Sequence, residues 1–289
     1  MPLLHVGAGG PSWLDWIVHL DALILVIVLG WAYTYAITEL RPRVSDAGRV
    51  RRGQVALFAA GLLAIYLAGG TAIHDLGEEY FLTAHVVQHL LFAFVAPPLL
   101  IAGVPGWLWM WLLDRPIVMP VARALTKPFV AFATFNALLV LLHMPSVLNL
   151  TLEVGAVHFS AHAVLVIASL IVWWPILSPL PELPRLSYPA QMGYLFLQSL
   201  LPAVIASFVT FADGVVYSFY RDAPRLWSVE ALEDQQIAGG IWKLSGSLIL
   251  WGFMTWAFFK WYGQERAEEA EPRWPDVEDE LEELGLAQR

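Results

Sequence analysis

Residues 83–106 read TAHVVQHLLFAFVAPPLLIAGVPG. From Leu90 onward the stretch carries no polar side chain, and its length suits a helix crossing hydrocarbon, which takes about 20 mostly apolar residues. The head of the stretch is different. His85, Gln88 and His89 bring two imidazoles and an amide into a run that lipid does not welcome. The body of the stretch bears on the fold and its head on the function.

The rest of the chain repeats the body. Of its 289 residues, 58% are hydrophobic and 14% charged, against about 45–50% and about 25% in soluble globular chains. Apolar runs between polar breaks predict seven spans, over residues 17–38, 54–73, 80–101, 126–144, 154–177, 190–211 and 234–262. In lipid only helices and closed barrels satisfy the backbone, and barrel strands need only about 9–11 residues. The expected fold class is therefore all-α, a polytopic seven-transmembrane-helix bundle over residues 1–262. The Trp-rich segment 107–113 is expected in the membrane interface. The first 16 residues hold no Lys or Arg, so the basic region of a cleavable signal is missing and the first span is expected to be retained.

Charge divides the chain unevenly. Residues 263–289 hold ten acids and three Arg and are expected to form a disordered acidic tail, suited to a basic partner. The rest is nearly neutral and has no basic stripe, so nucleic acid is excluded as a partner. Having no cysteine, the chain can form neither disulfides nor thiolate metal sites. Of 16 Lys and Arg, 13 fall in the first, third and fifth connections, at the adjoining span ends or on the C-terminal side of the last span. The positive-inside rule then places the N-terminus outside and the C-terminus in the cytoplasm.

On this map six of the eight histidines gather at one depth. His74 ends span two, His85 and His89 start span three, His143 closes span four, and His158 and His162 start span five. His5 and His19 lie towards the same side without such spacing. Each pair four residues apart occupies one helix face, about 6 Å apart along the axis. Two such pairs on facing helices can offer four neutral imidazoles to a metal. Imidazole suits Cu, Zn, Fe and Ni alike, so the spacing points to a metal without naming one. Met144 is the only nearby thioether that would favour Cu(I). The alternative is a set of interfacial histidines that only hydrogen-bond across helices, against which stands the cost of intramembrane ionisable groups.

Other polar residues reach the same level. Glu233, Asp234, Gln235 and Gln236 open the last span. Asp234 is expected to ligate, to orient an imidazole, or to serve as a helix-terminal acid. Asp75, Glu78 and Glu79 are expected in a solvated loop. Lys243, deep in the last span, is expected to turn into the bundle towards a partner or to snorkel. Asn136 and Gln198 fit interhelical hydrogen bonds. Pro97 and Pro98 are expected to kink span three, and Pro202 interrupts span six.

Several motifs then resemble one family. His85-Val-Val-Gln-His89 followed by Ala96-Pro97-Pro98-Leu99 and Gly103-Val104-Pro105, then His143-Met-Pro145 before His158-x-x-x-His162, Trp173-Trp174-Pro175 and Pro179, and Asp234-Gln235-Gln236-x-x-Gly239-Gly240, are similar to the CtaG-type cytochrome c oxidase assembly factors. The likeness runs from span two to span seven. It implies a role in maturing a caa-type haem–copper oxidase of the respiratory chain, in the bacterial plasma membrane. It also implies copper as the metal, held at His85, His89, His143, His158, His162 and Asp234 and supplied to the oxidase catalytic subunit. An extracytoplasmic copper carrier would load the site. The work would be ligand exchange, with no enzymatic reaction, in a protein whose other partner is membrane lipid. Three rival readings use the same residues. A haem-binding redox protein needs one His from each of two facing helices. A di-metal membrane enzyme usually carries Glu-x-x-His pairs, which this chain lacks. A transporter needs a polar track through the other leaflet, where Lys243 stands nearly alone.

Overall fold

The computed structural model describes residues 19–44 and 47–270. His5 and most of the acidic tail lie outside them. Among the described residues every regular element is helical. Helix α1 (Leu20–Tyr35) continues into a π-helical turn, and α2 (Arg52–Gly69) leads to α3 (Ala72–Glu79), α4 (Leu82–Leu90) and α5 (Ala96–Gly103). The Trp-rich segment is α6 (Gly106–Leu113), followed by α7 (Val118–Leu125), α8 (Pro128–Leu142) and α9 (Pro145–Glu153). Then come α10 (Gly155–Leu177), α11 (Tyr188–Phe211), the short α12 (Ser218–Asp222) and α13 (Ala231–Ala270). Six helical stretches are long and apolar enough to cross a membrane, or seven if the bent pair α7–α8 is one span.

Two expected spans differ from the structure at breaks written in the sequence. The fourth span shortens to α8, which meets α7 at 80°. Pro128 causes this: it lacks an N–H and pre-sets the first helical turn, so it starts a helix instead of continuing one. The second span, expected to end at residue 73, breaks at Gly70 and Thr71 and resumes as α3 as far as Glu79. The Thr71 hydroxyl accepts the Ile73 N–H at 3.4 Å, an N-cap for the new helix. Asp75, Glu78 and Glu79 therefore lie on a helix, not in the solvated loop expected for them.

Span three passes through a π-helical segment, Leu91–Val95, between α4 and α5, just before its two prolines. Pro97 cannot donate to the carbonyl four residues back, that of Ala93. The indole of Trp173 on α10 donates to that oxygen instead, at 2.8 Å. The core surrounds this bond, with Trp173, Phe135, Leu165 and Ile176 fully buried. Asn136 on α8 donates to Gln198 on α11 at 2.9 Å, the interhelical bond expected of that pair.

Two glycines allow close helix contacts near the histidines. A side chain at Gly239 on α13 would run into Thr210 and Ala206 of α11. A Cβ at Gly77 would lie 2.9 Å from the His85 backbone nitrogen, so α3 lies directly against α4. Lys243 does not turn into the bundle. Trp242 takes the buried position, and about 100° of rotation per residue leaves Lys243 exposed, with Nζ 5.9 Å from the Phe211 ring. Helix α13 runs past residue 262, with the Trp261 indole donating to Glu265 at 3.0 Å, so the first residues of the acidic segment continue the helix.

Candidate metal centre

The ends of α3, α4, α8 and α10 bring the histidines together. On α4 the rings of His85 and His89 are 4.1 Å apart, and on α10 those of His158 and His162 are 4.2 Å apart. The pairs face each other, and His89 Nε2 lies 3.2 Å from His162 Nε2. His143 arrives where α8 ends. Its Nδ1 donates to the Leu139 carbonyl at 2.8 Å, which leaves Nε2 bare, the tautomer a metal ligand needs. Its ring lies 5.3 Å from that of His89 and 4.5 Å from Trp242.

His85, His89 and His143 each offer a ring nitrogen within 4.8 Å of the others'. His85 is only 2% exposed. Both of its ring nitrogens, and Nδ1 of His89, are buried without a hydrogen-bond partner. Each such orphan costs about 1–3 kcal/mol, so the group is not a satisfied polar core. A void of about 10 Å³ is lined by His85, His89, His158 and His162, near the volume one water needs.

The structure divides the histidines that the sequence grouped together. His158 leaves the first group for a second, formed with His74 and Glu78. Glu78 Oε1 lies 2.7 Å from His74 Nε2 and 2.5 Å from His158 Nε2. Neither contact is aligned as a hydrogen bond, since Glu78 Oε1 and His158 Nε2 both remain without one. Gln88, between the two α4 imidazoles in sequence, points the other way. Its Nε2 donates to the Ala68 carbonyl at 3.0 Å and lies 2.8 Å from His74 Nδ1. His19 joins the edge of the group, 2.7 Å from Asp75. The sequence signal for this second group was His74-x-x-x-Glu78, the same four-residue spacing that marked the histidine pairs.

Asp234 stands outside both groups. Its carboxylate accepts from the backbone N–H of Leu82 at 2.7 Å and of Thr83 at 3.2 Å. It thus caps α4, the helix bearing His85 and His89, from across the bundle, where an acid also suits the helix dipole. Gln235 beside it accepts from Val216 N–H at 2.7 Å and donates to Val209 and Gly214 carbonyls. The connection between α11 and α13 adds two buried tyrosines. Tyr217 donates to the His143 carbonyl at 3.2 Å and Tyr220 to the Gly77 carbonyl at 2.6 Å. Burial pushes the Tyr217 hydroxyl up to about 12 and raises that of Tyr220 well beyond the usual phenol range, so both remain neutral donors. Met144 is 47% exposed.

A larger, mostly apolar cavity of about 1070 Å³ runs between α1, α2 and α10, and His74, Glu78, His158 and His162 line its polar end. His158 and His162 thus form part of the lining of both the small void and the large cavity.

No curated protein and no solved structure matches the chain. A family model described as cytochrome c oxidase caa3 assembly factor matches residues 31–264, a range that holds every histidine of both groups. The chain belongs to the cytochrome c oxidase caa3 assembly factor (Caa3_CtaG) family.

Proposed function

We propose that the protein binds copper at the buried imidazole group of His85, His89 and His143, with His162 alongside, and hands it to the catalytic subunit of a caa3-type oxidase during assembly. One observation carries this reading: His85, His89 and His143 each offer a ring nitrogen within 4.8 Å of the others', and the nitrogens of His85 are buried without a hydrogen-bond partner. Copper is the cargo. An all-nitrogen set accepts it without sulfur, and the family's oxidase gives it a destination.

The chain's own residues do three things on this reading. Asp234 fixes the start of α4 and so aims His85 and His89. The Leu139 carbonyl fixes the His143 tautomer, leaving Nε2 to bind. The apolar helices exclude water, so release needs an incoming ligand, and transfer is ligand exchange without enzymatic turnover. The void of about 10 Å³ leaves no room for a porphyrin among these rings, which weighs against haem in this group. The distribution of Lys and Arg puts the histidine-bearing end outside the bacterial plasma membrane, where a copper carrier reaches it.

The test is the copper content of purified protein beside a His85→Ala/His89→Ala variant, with assembled oxidase measured in cells carrying each. Copper in the parent, none in the variant and loss of oxidase activity are expected. Equal copper in the two would falsify the site.

A further inference from the structure

We infer that His74, Glu78 and His158 form a second site, for a divalent first-row transition ion, from which the ion passes by way of His162 to the group of His85, His89 and His143. The site stands on its own atoms, and only the ion's destination rests on the reading proposed above. Three ligand atoms from two helices converge within 4.8 Å. Two of them, Glu78 Oε1 and His158 Nε2, are buried and lack a hydrogen bond although 2.5 Å apart. A carboxylate oxygen this close to two ring nitrogens gathers a donor set that one ion can share. Ligands about 2.0–2.2 Å from one ion sit roughly 3 Å apart, so the atoms part slightly on loading.

The donor set separates this site from the first. Two imidazoles and a carboxylate suit Zn²⁺, Cu²⁺ or Fe²⁺, since oxygen favours the harder ion, whereas the first group offers nitrogen alone. Access separates them too. Glu78 is 30% exposed, and the group borders the large cavity, whereas His85 is sealed. Binding at His74 Nε2 requires the ring proton on Nδ1. A half-turn of the Gln88 amide brings Oε1, buried and without a partner, to accept it, at the cost of the bond from Nε2 to the Ala68 carbonyl. The path inward is short. The His162 ring is 4.2 Å from that of His158, and its Nε2 is 3.2 Å from His89 Nε2. Transfer exchanges the His74 and His158 imidazoles and the Glu78 carboxylate for neutral imidazoles, around an ion whose oxidation state is unchanged.

The test is titration of the metal-free, full-length protein in detergent with Cu²⁺, and separately with Zn²⁺, counting bound ions per chain. The parent is expected to bind two. Glu78→Gln is expected to bind one, and so is His85→Ala/His89→Ala; the combined variant binds none. Electron paramagnetic resonance of Cu²⁺ in the His85→Ala/His89→Ala variant should carry nitrogen couplings that are absent from the combined variant. If the parent binds one ion, kept by Glu78→Gln and lost with His85 and His89, the second site is wrong and the proposed copper site stands. If the only ion depends on Glu78 and survives loss of His85 and His89, the second site stands and the first fails. Should Glu78→Gln not fold, as judged by thermal unfolding, His74→Gln carries the same expectation.

Discussion

His85, His89 and His143 lie sealed among helices and offer nitrogen alone, whereas His74, Glu78 and His158 border a cavity and add a carboxylate. The supports differ in the same sense. Backbone groups and a remote acid hold the first group: Leu139 fixes His143, and Asp234 caps the helix that carries the other two. The second is held by the Gln88 amide and by the seating of one short helix, α3. On our reading the first arrangement keeps an ion and the second admits one. Fixed, dry ligands slow release, while a partly exposed carboxylate at a cavity edge attracts a cation and lets it go.

The largest effect that would break this comparison comes from His85→Ala/His89→Ala. Copper affinity of the first group should fall by more than about 100-fold, since even supporting partners of metal ligands are worth about 10–100-fold, while the second group keeps its ion. Acid should empty both, because only neutral imidazole binds. Metal content measured at stepped pH should fall on acidification. The drop should be steeper for the first group, where three imidazoles compete for protons against two; equal slopes would argue against the split. Gly77→Val should push α3 off α4, costing about 1–3 kcal/mol of stability by overcrowding and removing the second ion before the first. Trp173→Phe should strand the Ala93 carbonyl, costing about 1–3 kcal/mol and lowering the unfolding temperature while affecting both groups alike. The smallest effect is expected from Asp234→Asn. Weakening this cap should cost about 1 kcal/mol and leave the number of bound ions unchanged; loss of an ion would make Asp234 a ligand.

Helix existence was legible in the sequence because hydrocarbon forces long apolar runs, and the break at Gly70-Thr71 and the turn at Pro128 account for the spans that differ. The histidine gathering was legible too, through two four-residue spacings and the alternation of spans. Partner choice was not. Whether His158 meets His89 or Glu78 depends on how α3 seats against α4, which Gly77 allows and the Tyr220 hydroxyl secures. Those contacts join residues far apart in the chain, and no local period encodes them. Asp234 shows the same limit. An acid in a first turn reads as a cap of its own helix, yet it caps one about 150 residues earlier.

The bond from Trp173 to Ala93 acts as a gauge. Trp173 stands 11 residues beyond His162, about three turns and 16 Å along the same face of α10. Ala93 stands four residues beyond His89. One indole on one freed carbonyl therefore indexes both imidazole pairs against each other, where a slip of one residue would shift a helix by about 1.5 Å and rotate its ring away. Replacing Pro97 by Ala would mend the helix and give that carbonyl an N–H of its own. The indole would lose its exclusive claim, so the better helix would be the worse ruler.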